Sequence, residues 1–134
     1  MGYVIGFVLA LAVSAYATAV RLDADRAFYP TVLMVIASYY VLFAVMGGSG
    51  RALVVESLVM GAFILAASLG FRRSLRLVVV ALAAHGLLDV FHGHLVANRG
   101  VPVWWPAFCL TFDLTAAAYL GWRLRQGHAD HRTR

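Results

Sequence analysis

A chain of 134 residues that is 63% hydrophobic and 13% charged, with a net charge of +5, lies far from the roughly 25% charged residues of a soluble domain, and its mean hydropathy of +0.83 makes a lipid bilayer its expected surroundings. The basic excess does not point to nucleic acid, because every basic residue is an arginine beside or beyond an apolar run, where it orients a membrane segment. The single cysteine, Cys109, excludes an internal disulfide, a CxxC pair and a cysteine zinc cage, so chemistry falls to His, Asp, Glu or Tyr.

A membrane-thickness window of about 20 residues predicts an all-α integral membrane protein, a five-span helical bundle forming one domain over residues 1–134. Span one covers about 3–20 and ends at Arg21. Ala17, Thr18 and Ala19 imitate a signal cleavage site, but no Lys or Arg precedes the apolar stretch, so the helix is expected to be retained. Without it, four spans remain in the same orientation. Span two, about 28–46, has Pro30 in its first turn and stops at Gly47, Gly48, Ser49 and Gly50. Span three covers about 52–70 and is closed by Arg72, Arg73 and Arg76, and span four covers about 77–98 before Arg99 and Gly100. Trp104 and Trp105, between Pro102 and Pro106, read as an interfacial belt, with Tyr29 and Trp122 as further anchors. Span five covers about 106–122, and 123–134 is a polar tail whose His128 and His131 are expected at solvent or lipid headgroups.

Arg21, Arg26, Arg72, Arg73, Arg76, Arg123, Arg125, Arg132 and Arg134 fall on one side of this topology, against Arg51 and Arg99 on the other. By the positive-inside rule the N-terminus is outside and the C-terminus cytoplasmic.

Ionisable groups inside the spans are the informative ones, since each costs about 2.5 to 3.5 kcal/mol if charged and unpaired near the bilayer centre. His85, Asp89 and His92 stand at i, i+4 and i+7 on span four, within about 60° on one helix face. Asp113 on span five and Glu56 on span three complete the set. At 1.5 Å per residue, Glu56, His92 and Asp113 lie roughly 6 to 10 Å from the outer ends of their helices, Asp89 roughly 13 Å and His85 roughly 20 Å. Similar depth on three helices predicts one meeting point in the bundle interior. With no Arg or Lys among them, charge balance requires protonated carboxyls, protonated imidazoles or a bound cation. Imidazole with carboxylate suits a divalent metal such as zinc, iron, manganese or copper, with His85, Asp89, His92, Asp113 and Glu56 as ligands and Asp89 and Glu56 as the carboxylates cast for catalysis. The competing reading is polar glue between helices, worth about 0.6 kcal/mol per contact. His94 points away from the cluster and reads as interfacial. Tyr39 and Tyr40 fall mid-span, either able to donate to the site or simply to pack. Cys109, one turn before Asp113, reads as a soft extra ligand or, more commonly, a small buried hydrophobe.

The stretch His85, Gly86, Leu87, Leu88, Asp89, Val90, Phe91, His92, followed by Pro102, Pro106, Cys109 and Asp113, resembles the C-terminal half of an uncharacterised family of small multi-pass bacterial membrane proteins. In that family a His-x-x-x-Asp-x-x-His helix precedes a proline-rich turn and an Asp-bearing helix. The glycine-rich turn before Glu56 is similar too, more weakly. Gly93 stands where the family tends to have a histidine, and one cysteine where it tends to have two. The resemblance implies a bacterial cytoplasmic membrane location and a single site, and no reaction.

Three function classes follow: a membrane-embedded enzyme acting on a lipid or lipophilic substrate, by metal-activated water or direct acid/base chemistry; a metal-ion or proton-coupled transporter; and a non-catalytic subunit. Span four is wholly apolar from Leu77 to Ala84, and other inner-half polarity is confined to groups such as Ser14, Thr18 and Tyr119, so a site open to the outside is favoured over a conduction path. No nucleotide is expected. A bis-His haem is disfavoured because His85 and His92 share a helix face. The expected partners are the bilayer and a small lipophilic molecule or metal ion, and Gly2, Gly6 and Ala10 offer a small-residue face for association with a second copy.

Overall fold

The computed structural model describes residues 1–132, with side chains through Gly127. Five helices follow in order, α1 (Gly2–Ala19), α2 (Phe28–Gly47), α3 (Gly50–Arg72), α4 (Leu75–Leu95) and α5 (Trp105–Arg132), and no strand occurs among the described residues. Helices α1 to α4 are each long and apolar enough to cross a membrane. Helix α5, which carries Asp113, does not meet that standard by composition.

The helix ends follow local chemistry. Gly48 adopts the left-handed conformation, φ +69°, that closes α2, and Ser49 caps α3 by accepting from the Ala52 amide at 3.2 Å. The expected four-residue break thereby shrinks to Gly48 and Ser49, because Gly47 and Gly50 are helical. Ser74 caps α4 in the same way through the Arg76 amide. At the opposite end of α3, Arg26 donates from Nε to the Phe71 carbonyl at 2.8 Å and from Nη2 to the Gly70 carbonyl at 3.2 Å, satisfying acceptors that a helix C-terminus leaves open. Span four ends earlier than expected: α4 stops at Leu95, and Val96 is extended. Span five runs further, since Arg123, Leu124, Arg125 and Gln126 are good helix formers and nothing breaks the helix. The reading of His128 and His131 falls on side chains outside the described residues.

Helix α5 packs against α1 and α4, α3 against α2 and α4, and α2 also touches α4. The bundle alternates in direction, which gathers Arg26 beside Gly70, and Arg123 beside Asp23 at 3.9 Å, at one end. Gly6, Ala10, Ser14 and Ala17 form the buried stripe of α1. A Cβ at Gly6 would collide with Thr111 Oγ1 and the Phe108 carbonyl, so this small-residue face is consumed by α5 rather than left for a second copy. Two of the expected interface anchors are buried instead. Tyr29 is in the core beside Leu33 and Leu82, and Trp105 packs among Tyr39, Phe43 and Phe108 with ring centroids 4.9 to 5.4 Å away. Trp104 and Trp122 remain exposed.

Candidate functional site

Glu56, His85, Asp89, His92 and Asp113 are all between 0% and 4% exposed. Helix α4 supplies three of them because positions i, i+4 and i+7 share the face turned toward α2, α3 and α5. Gly86 lets α5 come close: a Cβ there would lie 3.0 Å from Asp113 Cβ and 3.2 Å from the Leu110 carbonyl. That approach brings Asp113 against His85, with His85 Nδ1 2.6 Å from Asp113 Oδ2 and 3.8 Å from Asp89 Oδ2.

The five residues divide into two groups. His85, Asp89 and Asp113 each place one ligand atom within 4.8 Å of the others, close enough for one metal ion. His92 and Glu56 form a separate pair, Nε2 to Oε1 2.6 Å. Tyr40 joins the groups. Its hydroxyl donates to Asp89 Oδ1, its ring stacks on His92 with centroids 4.0 Å apart, and its backbone carbonyl accepts from Asn98 Nδ2 at 3.1 Å. Of the two adjacent tyrosines, Tyr39 instead packs with Trp105 and Phe43.

Asn98 is the residue that sequence reasoning missed, having been read only as the end of a span. Its amide also donates to Glu56 Oε1 at 3.0 Å, while its Oδ1 accepts from the Gly100 amide at 3.2 Å. An Asn two residues before a Gly is a turn former that bonds its own backbone, and that was the available signal. The turn is held close to α2, where a Cβ on Gly100 would collide with the Phe43 carbonyl. Cys109 is buried among aromatic rings of the second core cluster and is not part of the metal-sized group. His94 is exposed, on the side away from the cluster.

Asp89 Oδ2 and Asp113 Oδ1 are buried without a hydrogen-bond partner among the described residues. A buried acceptor left in that state costs about 1 to 3 kcal/mol, and more when charged. Beside the groups lies a cavity of about 140 Å³, walled by Tyr40, Glu56, His85 and His92 on its polar side and by Ala37, Val55, Val59, Leu88, Leu95 and Val96 elsewhere. Larger depressions lie apart from the cluster, among them one of about 720 Å³ at the arginine-rich end, beside Asp23 and Arg123, and an apolar one of about 580 Å³ lined from α1, α2 and α5. No protein-family model, curated protein or solved structure matches the chain.

Proposed function

We propose that the chain is a five-span protein of the bacterial cytoplasmic membrane, N-terminus outside, whose His85, Asp89 and Asp113 hold a divalent metal in the outer half of the bilayer and serve a membrane-embedded enzyme acting on a lipid or lipophilic substrate. One observation carries the reading: two carboxylates from different helices, each with an unpartnered buried oxygen, flank one imidazole. A divalent cation balances two carboxylates where no Arg or Lys does so, and a mixed imidazole and carboxylate donor set suits zinc, iron or manganese. Such an ion supplies Lewis-acid polarisation of a bound oxygen. Tyr40 orients Asp89, and Asn98 with His92 orients Glu56. Asp89 thus serves as ligand, and Glu56 with His92 as the neighbouring acid/base pair.

The enzyme reading is favoured over transport by the packing toward the arginine-rich end. There Leu33, Val78, Leu82 and Leu120 form a buried apolar core with the alanines around them, which supports access from one side. Elemental analysis of detergent-purified protein is the test: about one equivalent of zinc, iron or manganese, lost on chelation, is expected. Metal-free protein that takes up none of the three on addition refutes the assignment.

A further inference from the structure

The two buried histidines of α4 are held alike. Asp113 engages Nδ1 of His85 and Glu56 engages Nε2 of His92, each at 2.6 Å. A carboxylate on one imidazole nitrogen fixes the ring and leaves the other nitrogen to face a ligand. Nδ1 of His85 is the nitrogen turned toward Asp89 and Asp113, so a metal held there would leave the ring proton on Nε2. That other nitrogen, Nε2 of His85 and Nδ1 of His92, has no hydrogen bond to a described residue. Both rings line the same cavity of about 140 Å³, close to the roughly 150 Å³ that accepts a benzene-sized guest.

The far wall is apolar, formed by Val55 and Val59 of α3 and Leu88 and Leu95 of α4. Leu95 is 66% exposed and the other three are half-buried. This wall therefore continues onto the lateral, lipid-facing surface between α3 and α4. The hairpin is tight at its arginine-rich end, where Gly70 admits Val78: a Cβ there would lie 3.2 Å from the Val78 nitrogen.

We infer that this cavity seats the compact neutral end of a lipophilic molecule, a carbonyl, ester or hydroxyl group whose oxygen accepts from Nε2–H of His85, between His85 and His92, with the apolar tail leaving between α3 and α4. The inference rests on the metal reading, which removes Asp89 and Asp113 from the charge balance of the cavity. Glu56 is already paired with His92 and Asn98, so no carboxylate remains to hold an ammonium. Among the described residues, no Arg or Lys lines the cavity to hold a phosphate or carboxylate.

The test uses the full chain in nanodiscs with ¹⁵N-labelled histidine, titrated with decan-2-one, decanoate and decyltrimethylammonium. The ketone is expected to shift the His85 and His92 ring resonances saturably, and the two charged probes to leave them in place. Val59→Phe, which fills the apolar wall, should weaken the ketone response at least tenfold, and Val59→Ala should retain it. Where Val59→Phe fails to fold, Leu88→Phe narrows the same cavity from α4. A wild type without a saturable ketone shift, a filled variant that responds like wild type, or equal response to a charged probe overturns the inference. Metal content measured on the same samples keeps the two readings apart. Metal-free protein that still seats the ketone refutes only the metal assignment, and metal-loaded protein indifferent to it refutes only the cavity.

Discussion

Asp113→Asn separates a metal ligand from a structural hydrogen bond because the amide keeps the shape and one acceptor of the carboxylate while losing its charge. His85 Nδ1 stands 2.6 Å from Asp113 Oδ2, so the variant still accepts that bond. If the cluster is only interhelical glue, the expected loss is about 0.6 kcal/mol, with about 1.7 as the upper bound. If it holds a divalent ion, the variant removes one of two anionic ligands from a three-residue group. An ion at 100 times its Kd adds about 2.7 kcal/mol to the wild type, which for a chain of this size is a rise in Tm of roughly 10 °C. Intrinsic tryptophan fluorescence follows the melt, aided by the buried Trp105. The wild type should lose most of that increment in chelator, and Asp113→Asn should show little of it in either condition. A wild-type melt that ignores chelator and added zinc, manganese and iron, with the variant within about 3 °C of it, would refute the reasoning and leave hydrogen bonding as the role of the cluster.

Other outcomes follow from the same geometry. A reporter fused after Arg134 should be cytoplasmic and one inserted near Gly48 or Gly100 external, as judged by paired alkaline phosphatase and fluorescent protein fusions; the reverse pattern inverts the side from which the site is reached. Gly86→Val forces side-chain atoms against Asp113 Cβ and the Leu110 carbonyl, so it should cost about 1 to 3 kcal/mol and reduce metal content together with stability. Tyr40→Phe removes the donor to Asp89, leaving both oxygens of a buried carboxylate without a protein donor; a loss of about 1 to 3 kcal/mol in thermal melts is expected, and an unchanged melt would show that the bond contributes nothing.

The membrane class was legible from composition because insertion into lipid depends on stretches of apolar residues, a property local to each segment. The segregation of arginines was legible for the same reason, and the structure gathers Arg26 and Arg123 at one end of the bundle. Helical periodicity was enough to put His85, Asp89 and His92 on one face. It could not say which partner each would take, because equal depth on three helices leaves their rotation and spacing open. Gly86 decides that question by admitting α5, so that His85 meets Asp113, while His92, two turns on, meets Glu56 of α3.

Asn98 was hidden, and Tyr40 stood undecided between donating to the site and packing, for a related reason. A hydroxyl or amide has no strong insertion penalty to mark it, and its role appears only when a distant segment supplies the partner. The bond from Tyr40 to Asp89 spans 49 positions and that from Asn98 to Glu56 spans 42. The small-residue face of α1 was visible in sequence, but not what would cover it: close packing needs small residues wherever two helices approach, within a chain or between chains. Hydropathy and charge therefore determined the solvent, the helices and the candidate residues, since each acts through the segment that carries it. Only the tertiary structure decided the pairing into two groups and the cavity between helices, because both depend on distances of a few ångströms between residues far apart in sequence.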